Sequence, residues 1–168
     1  MPLFLLADSG LSRRAFFKYN YLALFAWNLL TTWWMVNGSV MGAVMAIILN
    51  SLIMYLPWWG YRTIKNKFGR LPGYFSFICF WMAFEYIHLN WQLSWPWLNL
   101  GNVFASEPDW VQWYEYTGTS GGSLWILLSN VLVFHLLNLY KSEGRTLRYF
   151  GNAIAWIALL FIPILSSS

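Results

Sequence analysis

The chain has 168 residues, 59% of them hydrophobic and only 10% charged, where an average soluble domain is about 25% charged. That leaves too little polar surface to cover a water-soluble globule. The aromatic fraction of 21%, with 13 Trp, suits rings held between an apolar phase and water. The composition describes an integral membrane protein, the spans below make it all-α, and the placement of its +4 formal charge excludes a nucleic-acid footprint, as shown below.

A membrane helix needs about 20 largely apolar residues. The first candidate span covers 15–36, with Arg13, Arg14 and Lys18 at its start and Trp33 and Trp34 near its end. Asn37-Gly38-Ser39 then turns the chain. The second covers 40–59 and carries Asn50 and Ser51 mid-span, which are expected to face other helices. A basic connector with Arg62, Lys65, Lys67 and Arg70 leads to the third span, 72–89, which opens on Pro72. Residues 90–119 are too polar and too rich in Pro and Gly for a plain span. They read as a Trp-rich outer loop or a re-entrant segment, the latter tolerated only inside protein or along a wet cavity. The fourth span covers 120–140, after Gly118, Gly121 and Gly122; the fifth covers 149–165. The whole of 1–168 is expected to be one transmembrane domain, with no cleavable signal peptide because MPLFLLADSG lacks a basic leader. A single cysteine, Cys79, excludes an internal disulfide.

Five spans divide the connectors between two sides. All ten Lys and Arg residues fall on one of them: Arg13, Arg14, Lys18, Arg62, Lys65, Lys67, Arg70, Lys141, Arg145 and Arg148. The positive-inside rule puts that side in the cytoplasm. The N-terminus is then cytoplasmic, and the Trp-rich segment and C-terminus are periplasmic, in a bacterial inner membrane. The charge is a topology signal, with contact to anionic headgroups as a corollary.

Most of the chemistry-bearing residues lie in 84–118, FEYIHLNWQLSWPWLNLGNVFASEPDWVQWYEYTG, which holds Trp91, Trp95, Trp97, Trp110 and Trp113 with Glu107, Asp109 and Glu115, and has no Lys or Arg. Glu85 is the only carboxylate inside a span. A charge there is costly and marks either a functional site or a structural hydrogen bond to a neighbouring helix or the Trp-rich segment. Glu85 and His88 share a helix face at i, i+3, but the further Glu and Glu-x-x-His elements of a carboxylate-bridged metal site are missing, so a Glu–His hydrogen bond is the expectation and no metal is. Cys79, in FSFICFWM, lacks the electropositive setting of a nucleophile and reads as packing. His135 reads as a helix-facing polar residue. No Ser/His/Asp set, phosphate loop or zinc spacing is present, and no cofactor is expected. Trp95-Pro96-Trp97-Leu98-Asn99-Leu100-Gly101 reads as a bend, Pro restricting φ and Gly permitting a tight turn. It is either an aromatic belt anchor or a wall against which lipid acyl chains lie.

Three strings carry a family resemblance: RRAFF at 13–17, FEYIHLNWQLSWPWLNLGN at 84–102, and QWYEYTGTSGGSLWILLSNVLVF at 112–134. Together they resemble the membrane domain of bacterial apolipoprotein N-acyltransferase, in the version found in Bacteroidetes-type bacteria. In that family a Glu near a span's end precedes an aromatic-Pro-Trp-Leu-x-x-Gly bend, a Gly-rich turn and a span carrying an Asn. Here these are Glu85, Trp95-Pro96-Trp97-Leu98, Gly101, Gly118 with Gly121 and Gly122, and Asn130. Many members have Arg shortly after the Glu, where this chain has His88.

The resemblance implies acyl transfer from a membrane phospholipid to the α-amino group of the lipidated N-terminal cysteine of an apolipoprotein, through a thioester on a Glu-Lys-Cys triad in a periplasmic nitrilase-like domain. This chain resembles only the family's middle spans. The nitrilase-like domain and its triad have no counterpart here, and Cys79 is not that nucleophile. The expectation is therefore a truncated or split membrane portion, inactive alone, with no catalytic residue of its own. Its substrate-side architecture would comprise Glu85, Trp95, Pro96, Trp97, Asn99, Gly101, Glu115, Tyr116, Gly118 and Asn130. The alternative is a standalone, non-enzymatic membrane protein that binds lipid or a partner through its aromatic ledge. A small transporter has little support, since paired broken helices are missing.

Overall fold

A computed structural model describes residues 2–92, 96–165 and 167, with the side chain of Trp97 excepted. The described residues form helices and no strand. Helix α1 covers Pro2–Asp8, α2 Arg13–Thr32, α3 Val40–Phe68, α4 Arg70–Asn90, α5 Tyr114–Glu143 and α6 Leu147–Leu165. Short 3-10 turns occupy Trp33–Asn37, Pro96–Leu98, Leu100–Phe104 and Pro108–Trp110. Among the described residues three helices, α3, α5 and α6, are long and apolar enough to cross a membrane. Helices α2 and α4 fall on the other two expected spans. Their apolar character is diluted by Arg13, Arg14, Lys18, Asn20 and Asn28 in α2, and by Arg70, Glu85, His88 and Asn90 in α4.

The chain forms two compact units, Met1–Phe84 and Glu85–Ser168. In the first, local capping sets the helix starts. The Ser12 hydroxyl accepts the Ala15 N–H at 3.2 Å, and the Ser39 hydroxyl accepts the Gly42 N–H at 3.1 Å, each satisfying a donor that the helix itself leaves open. Helix α2 buries Phe16, Asn20, Leu24, Asn28 and Thr32, one residue per turn on a single stripe. This stripe packs on α3. Asn28 donates to Ser51 Oγ at 3.1 Å, and Asn50 donates to Asn28 Oδ1 at 2.7 Å. The two mid-span polar residues of α3 thus face a neighbouring helix, as their sequence position predicted.

Two features of this unit differ from the sequence reading. The expected connector after Trp59 is helical: α3 continues to Phe68, and Gly69 alone separates it from α4. The opening apolar run is the second. Helix α1 inserts Phe4 among Trp58, Tyr61 and Phe77, with ring centroids at 4.9, 5.0 and 4.9 Å. Basic side chains then fasten α1 and the start of α2. Lys65 Nζ lies 2.6 Å from Asp8 Oδ1 and donates to Ala7 O at 3.0 Å; Arg62 donates to the carbonyls of Leu11 and Ser12. Cys79, expected in the packed interior, lies exposed on α4, one turn after the exposed Phe75 on the same face.

In the second unit, α5 and α6 pack antiparallel across the short link at Gly144. Trp125 Nε1 donates to Leu159 O at 2.6 Å and Trp156 Nε1 donates to Ser129 Oγ at 2.9 Å. Two indoles thus join an apolar contact to a hydrogen bond. Helix α5 is broken at Gly118, where φ is 63° and ψ is −171°. Only glycine occupies that region without strain, so a single turn at 114–117 and the long helix that follows can point in different directions.

Candidate functional site

The Trp-rich segment is folded back on the second unit by side chains that cap its backbone. Residues 96–110 make only isolated 3-10 turns, so many of their N–H and C=O groups have no helical partner. In a membrane setting each such group needs one. Glu85, 4% exposed near the end of α4, accepts the Leu100 N–H on Oε1 at 2.9 Å. The next N–H, that of Gly101, is shared between Asn99 Oδ1 and Ser123 Oγ, each at 2.9 Å. The Ser123 hydroxyl donates in turn to Asn99 Oδ1 at 2.9 Å. Asn99 is here an N-cap: its extended backbone (φ −63°, ψ 126°) and short amide suit it to hold the turn that follows.

Further bonds close the bend. Tyr114 Oη donates to Gly101 O at 3.0 Å, and Asn102 Nδ2 donates to Pro96 O at 2.9 Å. Gly101 is there for space: a Cβ built on it would sit 2.0 Å from the Thr119 carbonyl oxygen, and backbone cannot yield as a flexible side chain can. The bend therefore lies flush against the first turn of α5 beyond Gly118. An aromatic group flanks it, with Phe104 and Trp113 at 4.9 and 5.8 Å from the Trp125 ring. His88 stacks on Trp91 at 5.0 Å.

The expected site residues separate into three groups. Glu85, Asn99 and Gly101 come together in one network, and Pro96 supplies a carbonyl to its edge. Glu115 and Tyr116 are exposed, Tyr116 by 87%, on the short turn before Gly118; they do not join the network. Asn130 bonds its own helix, Nδ2 to Ile126 O at 2.9 Å. Trp95 and the side chain of Trp97 lie outside the described residues. Sequence reasoning missed Ser123 and Tyr114. Ser123 lies in the expected fourth span and was given no role there, whereas its hydroxyl, fully buried, is the hub of the network. The described donors and acceptors here include no nucleophile–base pair; they hold backbone and shape a surface.

The described network, with its flanking aromatics, lies within residues 1–132, the stretch matched by the profile of the apolipoprotein N-acyltransferase N-terminal domain. The chain belongs to that family. It is 24% identical over 165 residues to an apolipoprotein N-acyltransferase of Chlorobaculum tepidum, an alignment covering 98% of this chain and 30% of the relative. The chain thus spans about 30% of that curated relative's length. No solved structure matches it. Membership of a family of membrane enzymes agrees with the apolar helices α3, α5 and α6.

Proposed function

We propose that this chain is membrane-embedded substrate architecture of an apolipoprotein N-acyltransferase, and that the bend at 96–104 forms a fixed wall for the lipid substrates. The acyl donor would be a membrane phospholipid and the acceptor the lipidated N-terminal cysteine of an apolipoprotein. The chemical step would belong to a nitrilase-like domain beyond the residues of this chain; what these residues contribute is position. The observation that carries the reading is Glu85. An aromatic belt anchor needs only indoles. A carboxylate withdrawn from water is costly, and here it fixes one backbone N–H of a bend whose next N–H is fixed by Asn99 and Ser123. A surface built with that much support suits a binding constellation that must keep its shape.

In a full-length enzyme carrying this domain, Trp97→Ala is expected to weaken acyl transfer at least about tenfold, the loss of a large aromatic contact, with membrane insertion retained. Unchanged transfer would remove the bend from the substrate path.

The ten basic residues support an orientation with the α3–α4 and α5–α6 links in the cytoplasm of a bacterial inner membrane, and residues 96–110 and the end of α6 in the periplasm. Alkaline phosphatase fused after residue 105 or 165 is expected to be active, and after residue 69 or 144 inactive. The reverse pattern would overturn the orientation.

A further inference from the structure

The first unit carries a charge excess that its own fold leaves open. It has seven basic residues and one acidic residue, Asp8. Arg62 is bound to carbonyls of the α1–α2 link and Lys65 to the Ala7 carbonyl at the end of α1, and Lys65 and Arg70 face Asp8 at 2.6 and 3.7 Å. Arg13, Arg14 and Lys18 are exposed and have no hydrogen bond or ion pair among the described residues. Their placement is regular. Arg14 and Lys18 are one turn apart on the face of α2 opposite its buried stripe. The same face continues through Leu22 and Leu29, 49% and 46% exposed. From Lys18 to Leu29 the helix rises about 16 Å at 1.5 Å per residue, close to the depth of one leaflet of a hydrocarbon core about 30 Å thick. Two cations at one end of a leaflet-long apolar track match an anionic headgroup above its acyl chain.

We propose that this face of α2 binds one anionic phospholipid, its phosphate held by Arg14 and Lys18 with Arg13 beside them, and its acyl chain along Leu22 and Leu29. The site is distinct from the bend in the second unit and does not depend on the acyltransferase reading. Cations that served only to orient the chain during insertion would act through their number and would require no apolar track aligned beneath them.

The test is native mass spectrometry of the full chain, titrated with phosphatidylglycerol, with phosphatidylcholine and with soluble glycerol phosphate. One retained phosphatidylglycerol per chain is expected, bound at least about tenfold more tightly than phosphatidylcholine and not displaced by glycerol phosphate. Arg14→Gln with Lys18→Gln should weaken it about 25-fold, at about fivefold per cation. Lys141→Gln with Arg145→Gln removes the same charge from the second unit and should change it less than about twofold. Leu22→Asn with Leu29→Asn keeps every basic residue, and so the insertion signal, and should still weaken the lipid about threefold or more. Equal loss in the two charge variants, equal binding of the two lipids, displacement by glycerol phosphate, or no effect of the leucine variant would each overturn the proposal.

Discussion

Both units bury polar side chains, and they direct them to different partners. In the first, Asn28, Asn50 and Ser51 bond one another between α2 and α3, two helices whose backbones are already satisfied. In the second, Glu85, Asn99 and Ser123 bond the N–H groups of Leu100 and Gly101, in a segment that has left the helix. A regular helix frees its polar side chains to join neighbours. An irregular segment in an apolar setting takes them for its own backbone. The first arrangement holds elements together and tolerates substitution; the second determines the shape of a surface and should tolerate little.

This contrast orders the expected effects of mutation, each measurable by thermal unfolding in detergent followed by tryptophan fluorescence. Gly101→Ala should be the most severe, about 3 kcal/mol or more, because the new methyl meets the Thr119 carbonyl oxygen. Gly151→Ala, whose new methyl would have nothing within 4 Å, should be neutral or stabilise slightly. Next comes Glu85→Ala, at about 1–3 kcal/mol, since it leaves the half-buried Leu100 N–H without its acceptor; Glu85→Gln keeps an acceptor and should cost less. If Glu85→Gln and Glu85→Ala are equally damaging, the carboxylate acts through its charge rather than through that N–H.

In the first unit Asn28→Ala should cost about 1 kcal/mol, the usual scale of an interhelical hydrogen bond between membrane helices. A loss as large as that of Gly101→Ala would erase the distinction between the two units. Smallest is the Asp8–Lys65 pair, whose side chains are 17% and 14% exposed. A double-mutant cycle with Asp8→Asn and Lys65→Gln should give a coupling of about 1 kcal/mol, little changed by added salt because both side chains are largely withdrawn from water.

The membrane setting was legible in composition, because so few charges cannot clothe a soluble surface, and the all-helical class in apolar runs of about 20 residues. The bend was legible too: Trp-Pro-Trp-Leu-Asn-Leu-Gly contains the proline, the Asn cap and the glycine that the structure uses. Ser123 was not, since a hydroxyl near the start of an apolar span shows no role until its partners, more than 20 residues away, are folded beside it. The docking of α1 was hidden for a similar reason. Seven residues are too short to show a helical period, and the rings around Phe4 come from residues 58 to 77. Arg62 and Lys65 entered the sequence argument only as charge; their hold on carbonyls at the end of α1 and in the α1–α2 link is a tertiary fact. Glu115 and Tyr116 were grouped with the bend on the family resemblance, and both are exposed on the short turn before the Gly118 break.

The most direct test of the central claim compares Glu85→Ala with Asn28→Ala in a full-length enzyme carrying this domain, reading acyl transfer beside unfolding temperature. The account predicts that Glu85→Ala lowers transfer at least about tenfold, beyond what its loss of stability explains, while Asn28→Ala lowers stability and leaves transfer within about twofold. Equal transfer in the two variants at matched stability would contradict the claim that the capped bend shapes the substrate surface.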